Sequence, residues 1–186
     1  MDRLKDKVAI VTGSTSGIGT GIAKMFGAEG ARVVVCGRNV KKLETAKEKL
    51  EAEYGIQVLC VAADVNAGAD NQAVVQNVID QAIEKFGRID VLVNNAAGMA
   101  LKDGRVDEIS LEDWDAVFAS DVRSTFYCTK TVLPFMQEQG AGSIINIGSM
   151  DDVERADVYR NQMEDLLAAG GAMADEVYAD VVKRLS

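Results

Sequence analysis

A glycine-rich turn near the N-terminus is the feature best suited to chemistry. Gly13 and Gly17 lie between an apolar run, Val8–Val11, and an amphipathic segment over residues 18–29, and Gly19 is the second residue of that segment. The run is rich in β-branched residues and predicts a buried strand, and the segment after it predicts a helix. A strand, a glycine-rich turn and a helix in this order present free backbone N–H groups and the positive end of a helix to a phosphate. The spacing therefore predicts a nucleotide-binding turn.

The segments that must position this turn alternate between strands and helices. Their order predicts an α/β fold: a doubly wound, Rossmann-type parallel sheet with helices on both faces. Ligands bind such a sheet at the carboxyl ends of its strands. The predicted strands cover residues 8–11, 32–36, 58–63, 89–93 and 143–147, and the predicted helices cover 18–29, 40–54, 70–86 and 111–137, the last with a bend near Pro134.

Three further motifs accompany the later strands. Ala63-Asp64-Val65 ends the third strand, Val93-Asn94-Asn95-Ala96-Ala97-Gly98 ends the fourth, and Gly142-Ser143-Ile144-Ile145-Asn146-Ile147-Gly148-Ser149 contains the fifth. Together with Thr12–Gly19, these motifs resemble the short-chain dehydrogenase/reductase family over about residues 5–149. The resemblance implies an NAD(P)(H)-dependent oxidoreductase that transfers a hydride between a nicotinamide and a carbonyl or secondary alcohol substrate.

The resemblance also implies a set of cofactor-binding residues. In the family, the aspartate at the position of Asp64 places its carboxylate against the adenine. The complete implied set is Gly13, Ser14, Thr15, Ser16, Gly17, Ile18, Gly19, Arg38, Asn39, Asp64, Val65, Asn95, Ala96, Ala97 and Gly98.

The residues after the second strand favour NADP(H) over NAD(H). An acid there would bind the ribose 2′-OH of NAD, whereas an arginine favours the 2′-phosphate of NADP. Gly37 stands about where NAD-selecting members have aspartate, and Arg38 follows it. A guanidinium group can bind a phosphate through two N–H groups. Ser16 argues against an NADP preference, because members that prefer NADP often have a basic residue at its position.

The catalytic residues of the family are matched only in part. The resemblance makes Ser149 the serine that holds the substrate oxygen. It places Asp121 where the family has an asparagine that supports a proton-relay water, so this relay would carry a charge. The Tyr-x-x-x-Lys motif expected after the serine is absent, because Tyr159 has no lysine four residues on and Tyr178 has Lys183 five residues on.

Two interpretations of the end of the chain remain open. The chain is a shortened, non-catalytic nucleotide-binding or regulatory relative, or the segment with the tyrosine and lysine is missing between Ser149 and Met150. A Cα–Cα distance well above 3.8 Å at that junction would exclude an intact chain. Beyond it, two predicted helices flank Gly170-Gly171 and resemble a substrate lid. We therefore expect a dinucleotide-binding core over residues 1–149 and a two-helix segment of the same domain over 150–186.

Composition restricts the partners and the location. The chain has 29 acidic and 20 basic residues and a net charge of −9, which argues against nucleic acid and anionic membranes. It has no signal-peptide core and no apolar stretch near the roughly 20 residues that span a bilayer, so a cytoplasmic location is expected. Three dispersed cysteines without any histidine predict reduced thiols and no metal site. The expected partners are a small carbonyl or alcohol substrate and, from the resemblance, copies of the chain in a homotetramer or homodimer.

Overall fold

The computed structural model describes residues 2–65, 71–97 and 108–148. The described residues up to 147 belong to one compact unit. The elements in chain order are β1 (Val8–Val11), α1 (Gly17–Ala28), β2 (Arg32–Gly37), α2 (Val40–Tyr54), β3 (Val58–Ala62), α3 (Asn71–Phe86), β4 (Val91–Asn94), α4 (Leu111–Val117), a π-helix (Phe118–Arg123), α5 (Ser124–Gln139) and β5 (Ser143–Asn146).

The five strands form one parallel sheet in the order β3-β2-β1-β4-β5. The central strand β1 pairs with β2 on one side and with β4 on the other, so the order of the strands reverses next to it. Val11, the last residue of β1, is opposite Val35 of β2 and Val93 of β4. The carboxyl ends of these three strands therefore meet at one edge of the sheet, beside the crevice where such sheets bind ligands.

The core lies on both faces of the sheet. Successive residues of a strand point to opposite faces. Ile10 belongs to a buried cluster with Ile79 of α3 and Val132 of α5, whereas Val11 belongs to a second cluster with Leu43 of α2. α3 and α5 therefore cover one face, and α1 and α2 cover the other. The doubly wound, Rossmann-type fold is confirmed.

The long helical segment after residue 110 has three parts. The Ser110 hydroxyl oxygen accepts a hydrogen bond from the backbone N–H of Asp113 and caps α4. α4 then passes through the π-helix into α5. We expected a bend near Pro134, but the departure from α-helical hydrogen bonding is at Phe118–Arg123, and α5 continues through Pro134. π-helical turns are rare and often occur at functional sites.

The predictions for the C-terminal part fall outside the described residues. These are the helices over 151–168 and 172–185, the junction between Ser149 and Met150, and the division of the chain at residue 149. Within the part that the structure describes, no helix is long and apolar enough to span a membrane, and no three potential ligand residues cluster around a metal position.

Candidate functional site

A cavity of about 460 Å³ opens at the carboxyl ends of β1, β2, β3 and β4. Ligand sites for small molecules and cofactors typically have volumes of about 300–1,000 Å³. Eleven of the fifteen predicted cofactor-binding residues line this cavity: Gly13, Thr15, Ser16, Gly17, Ile18, Arg38, Asp64, Val65, Asn95, Ala96 and Ala97. Three residues outside the predicted set, Cys36, Gly37 and Ala63, complete its lining.

The four other predicted residues are placed differently. Ser14 and Gly19 are buried beneath the turn. Asn39 caps α2, where its side-chain oxygen accepts a hydrogen bond from the backbone N–H of Lys42 at 3.1 Å. Gly98 lies outside the described residues. Packing and hydrogen bonds within the protein therefore explain why the turn has Ser14 and Gly19, without any direct contact to a ligand.

Ser14 connects the glycine-rich turn to β2. Its hydroxyl donates a hydrogen bond to the backbone oxygen of Val11 at 2.7 Å and accepts one from the backbone N–H of Cys36 at 3.0 Å. Its own backbone N–H donates to the backbone oxygen of Cys36. The side chain is fully buried, so these partners satisfy a hydroxyl that water cannot reach. The turn is thereby held at a defined distance from the end of β2.

Two glycines of the turn permit its close approach to the segment after β4. Gly13 has φ +62°, and a Cβ there would lie 3.0 Å from the Cα of Ala96. A Cβ on Gly19 would lie 2.5 Å from the side-chain nitrogen of Asn95 and 2.5 Å from the backbone oxygen of Gly13. Only glycine fits at these two positions without movement of the backbone around the cavity.

Thr12 joins the turn to the end of β4, a role that we did not predict. Its hydroxyl oxygen accepts hydrogen bonds from the backbone N–H groups of Asn95 and Ala96, both at 2.9 Å, and donates to the backbone oxygen of Val93 at 3.2 Å. The Asn95 side chain donates to the backbone oxygens of Thr12 and Gly13. A threonine directly after a buried strand must find internal partners, and that requirement was the available signal in the sequence.

The N-terminus of α1 borders the cavity, and the Ser16 side chain does not cap its first N–H groups. The first N–H groups of a helix have no acceptor within the helix. Ser16 has extended backbone at the N-cap, and its side chain makes no capping hydrogen bond. Gly17 and Ile18 follow at the cavity wall. The chemistry of these donors, together with the glycines described above, fits the pyrophosphate of a dinucleotide.

Arg38 and Asp64 face one another across the cavity mouth. A guanidinium nitrogen of Arg38 lies 3.9 Å from a carboxylate oxygen of Asp64, and the two side chains are 70% and 42% exposed. A long, exposed ion pair of this kind contributes little to stability. An incoming phosphate can therefore compete for the guanidinium of Arg38.

The cysteines act as packing residues. Burial raises the pKa of the Cys36 thiol to about 12, and burial likewise raises the pKa of Cys128 to about 12. Both therefore stay protonated near neutral pH and are poor nucleophiles. Cys60 is half-buried, and its thiol donates to the backbone oxygen of Leu43 at 3.2 Å. All three are free thiols.

Of the two predicted catalytic residues, Asp121 lies in the described part of the structure and Ser149 does not. Asp121 lies in the π-helix, where its carboxylate accepts a hydrogen bond from the Ser120 hydroxyl at 2.6 Å. Its backbone oxygen accepts one from the Thr125 hydroxyl at 2.8 Å. Asp121 is not part of the cavity lining. Ser149 lies outside the described residues, although β5, the strand that leads to it, pairs with β4.

Comparison with known proteins supports the assignment of this chain to a family. The sequence profile of the family described as short chain dehydrogenase matches residues 7–159. An uncharacterized oxidoreductase of Staphylococcus aureus is 36% identical over 154 residues, which cover 83% of this chain and 63% of that protein. A 12alpha-hydroxysteroid dehydrogenase of Clostridium sp. is 40% identical over 149 residues, which cover 77% and 55%. The chain thus spans 55–63% of the length of these relatives.

Solved structures of related enzymes superimpose on the fold. L-sorbose reductase from Gluconobacter frateurii, in complex with NADPH and L-sorbose, has a TM-score of 0.73 and 34% identity, covering 83% of this chain and 57% of that chain. NAD+-bound xylitol dehydrogenase has a TM-score of 0.72 and 29% identity, covering 80% and 55%. A 7 alpha-hydroxysteroid dehydrogenase with NADH and 7-oxo glycochenodeoxycholic acid has a TM-score of 0.72 and 32% identity, covering 80% and 55%.

Proposed function

The chain belongs to the short-chain dehydrogenase family, and we propose that it is an oxidoreductase that uses the cavity at the carboxyl ends of β1–β4 to bind a nicotinamide dinucleotide. One observation carries the proposal. Residues from four separate parts of the sequence, after β1, β2, β3 and β4, line one cavity beside an uncapped helix N-terminus. A fold that binds no ligand at the carboxyl ends of its strands does not require glycines and helix N–H groups in this arrangement.

Each part of the cavity has a role toward such a cofactor. The amides at the start of α1 would bind the pyrophosphate, and Asp64 would lie against the adenine. Asn95, Ala96 and Ala97 would form the wall beyond the turn. The bound nicotinamide would supply or accept the hydride. Ser14 and Gly19, buried beneath the turn, would fix its shape, and Gly98 remains a proposed cofactor contact outside the described residues.

We favour NADP(H) over NAD(H) because of the residues after β2. Gly37 brings no carboxylate to the cavity, and Arg38 provides an exposed guanidinium at its mouth. A 2′-phosphate can bind this group, whereas the ribose 2′-OH of NAD has no carboxylate acceptor at Gly37. The sorbose reductase was solved with NADPH and the xylitol dehydrogenase with NAD+, so the preference rests on the residues of this chain.

The proposed substrate is a small carbonyl compound or secondary alcohol. Ser149 would hold the substrate oxygen, and Asp121 would support the proton relay from the π-helix. Residues 150–186, which lie outside the described residues, are proposed as a two-helix segment that belongs to a substrate lid of the same domain. We further propose a cytoplasmic protein that assembles as a homotetramer or homodimer. L-sorbose and an oxo bile acid are the compounds bound by two of the related structures, and both carry carbonyl groups.

A non-catalytic nucleotide-binding or regulatory protein is the second candidate. One observation favours it: no tyrosine in this sequence has a lysine four residues later. In the family, a neighbouring lysine ammonium lowers the pKa of the catalytic phenol, and without it the phenol is a poor acid or base near neutral pH. Both candidates predict dinucleotide binding, and only the oxidoreductase predicts turnover.

Binding and turnover separate the two candidates. NADPH and NADH are titrated into the 186-residue chain by calorimetry, and consumption of NADPH is then followed at 340 nm against a panel of ketones and aldehydes. Turnover that is lost in Ser149→Ala, with NADPH affinity retained, supports the oxidoreductase. Binding without turnover of any compound contradicts catalysis by these 186 residues, as the regulatory candidate predicts. Failure to bind either dinucleotide contradicts both.

A further inference from the structure

The two outer strands of the sheet, β3 and β5, differ in how their edges are protected. Among the described residues, each has a neighbouring strand on one side only, so half of its backbone N–H and C=O groups point away from the sheet. A row of such groups can pair with a strand of another molecule, and proteins usually prevent this with charged side chains or proline. The side chains at each edge therefore decide whether that edge stays free in solution.

The β3 edge is covered by a charged side chain. The backbone N–H of Val33 in β2 donates to the backbone oxygen of Gln57, so the next backbone oxygen, that of Val58, points away from the sheet. The ammonium group of Lys85 in α3 donates a hydrogen bond to this oxygen at 3.1 Å. A strand that paired with β3 would have to displace the lysine, which makes this edge unfavourable for pairing.

The backbone groups at the β5 edge point outward without such a side chain. The backbone N–H groups of Ser143 and Ile147 donate toward the β4 side, each at 2.9 Å. Alternate residues of a strand direct their backbone groups to opposite sides, so the N–H and C=O groups of Ile144 and Asn146 point away from β4. On that side the described part of the chain provides no further strand. These groups are therefore suited to pairing with an additional strand.

The segment around β5 carries no charge. No acidic residue, basic residue or proline occurs between Glu138 and Asp151, although the whole chain has a net charge of −9. Two copies of so acidic a chain repel each other through their net charges, and the repulsion is weakest where neither surface carries a charge. The β5 edge is thus a favourable place for two copies of this chain to meet.

Two isoleucines extend the apolar surface at this edge. Ile145 is 40% exposed and Ile147 is 38% exposed. Ile144, which points to the opposite face, packs against the core cluster that α3 and α5 cover. The cluster on the other face includes residues of β1–β4 but, within the part that the structure describes, none of β5. Ile145 and Ile147 therefore lie on a face where a second molecule can cover them.

We infer that β5 is a docking surface for the β5 strand of a second copy, which pairs with it in antiparallel orientation about a two-fold axis at Asn146. In this arrangement the outward backbone groups of the two strands hydrogen-bond to each other. Ile145 of each copy then lies opposite the partner's Ile147, so the exposed isoleucines cover one another. The surface is self-complementary, as a two-fold interface requires. The inference extends the proposed self-association by naming its surface, and it does not depend on dinucleotide binding.

A charge placed on the strand tests the pairing. The oligomeric state of the 186-residue chain is measured by sedimentation equilibrium over a range of concentrations. The test variant is Ile145→Lys, and the matched control is Val40→Lys, which replaces an exposed apolar residue of α2. Phe126→Lys probes the exposed face of α5 as a different interface. Circular dichroism and thermal unfolding verify that each variant folds.

We expect the wild type, Val40→Lys and Phe126→Lys to form dimers of equal stability. The dissociation constant of the dimer should increase by about tenfold or more in Ile145→Lys, because the lysine is placed against the partner's isoleucine. Ile147→Lys should have the same effect, since the two-fold axis pairs these two positions.

Amide hydrogen exchange of the wild type provides a measurement that needs no variant. In dilute protein, the outward N–H groups of Ile144 and Asn146 should exchange faster than that of Ile147, which donates to the backbone oxygen of Asn94. At concentrations where the dimer forms, this difference should disappear.

Three results would overturn the pairing. One is a wild type that stays monomeric at every concentration. Another is a dimer that is lost in Phe126→Lys and retained in Ile145→Lys, which assigns the interface to α5. The third is slow exchange of Ile144 and Asn146 at every concentration, which shows that the chain covers this edge itself. Titration of the same samples with NADPH distinguishes failure of this inference from failure of the proposed function, because a chain that binds NADPH without β5 pairing contradicts only the former.

Discussion

At the scale of single residues, the shape of the cavity depends on the missing side chains of glycines and on two buried hydroxyl groups. Gly19 is buried against Asn95 and the backbone of Gly13, whereas Gly21, on the same helix, has open space around the position of a Cβ. The same substitution at the two positions therefore has opposite physical consequences. The buried hydroxyl groups of Ser14 and Thr12 connect the turn to the ends of β2 and β4.

We predict that Gly19→Ala weakens NADPH binding by about tenfold or more, because the new methyl group displaces Asn95 or the glycine-rich turn. The matched control, Gly21→Ala, should bind as the wild type does. It should also be more stable by about 0.5–1 kcal/mol, since alanine is a better helix former than glycine. Calorimetric titration and thermal unfolding measure both effects. Equal affinities in the two variants would contradict a role for the close approach at Gly19.

Thr12→Val tests the connection between β1 and β4. Valine keeps the shape of threonine but removes the oxygen that accepts from the amides of Asn95 and Ala96. Because these part-buried amides would lose their acceptor, we expect a loss of about 1–3 kcal/mol in the free energy of unfolding. Thr12→Ser keeps the oxygen and should lose clearly less. Urea denaturation followed by circular dichroism provides the comparison, and equal losses in both variants would exclude the hydroxyl as the cause.

At the scale of elements, an aspartate outside the cavity connects the amino ends of two neighbouring strands. Asp90 directly precedes β4, and its side chain is buried. Its carboxylate accepts a hydrogen bond from the backbone N–H of Val8 at 2.9 Å and two from the guanidinium of Arg88, and the ammonium of Lys7 lies 3.2 Å away. These contacts join the amino ends of β1 and β4, opposite the cavity, and so help to fix the relative position of the two strands that the site requires.

The Asp90 contacts predict a pH dependence of stability. Burial acts to raise the pKa of Asp90, but the hydrogen bonds from Arg88, Val8 and Lys7 together hold it below its ordinary value. The carboxylate therefore stabilises the fold above the unfolded-state pKa of about 3.9, and this contribution is lost as the pH falls through the lower pKa of the folded state. Asp90→Asn should lose about 1–3 kcal/mol at pH 7.

The comparison with the wild type must be made across pH. Acid titrations of unfolding, followed by circular dichroism, should show a smaller decline below about pH 5 for Asp90→Asn than for the wild type. Asp80→Asn, a substitution of an exposed carboxyl group on α3, serves as the control and should follow the wild type. If the two variants have the same pH profile, Asp90 is not the origin of the acid sensitivity.

At the scale of the whole molecule, the parallel sheet divides the core into two parts, and the residues of the site lie at the carboxyl ends of its strands. One part lies between the sheet and α3 with α5, and the other between the sheet and α1 with α2. The cavity is lined by segments that follow four of the five strands. A ligand in it would contact segments from much of the folded unit, so binding and folding should be thermodynamically linked.

We predict that NADPH raises the midpoint of thermal unfolding in a concentration-dependent way. A ligand that binds only the folded state at 100 times its dissociation constant stabilises that state by about 2.7 kcal/mol. Adenosine 5′-monophosphate, which lacks the pyrophosphate link and the nicotinamide, should have a smaller effect at equal concentration. Differential scanning calorimetry measures the shift. An unchanged midpoint at saturating NADPH would contradict binding to the folded chain.

The fold class, most of the elements and eleven of the fourteen residues that line the cavity could be predicted from the sequence. Hydrophobic periodicity and glycine spacing are local properties, so β1, α2 and the glycine-rich turn could be predicted from short windows. Contacts between distant segments could be identified only in the folded chain. Thr12 reaches Asn95, Ser14 lies beneath the cavity instead of lining it, and Lys85 of α3 reaches the edge of β3. Such contacts arise when strands far apart in sequence become neighbours in the sheet, and no local pattern encodes which side chains then meet.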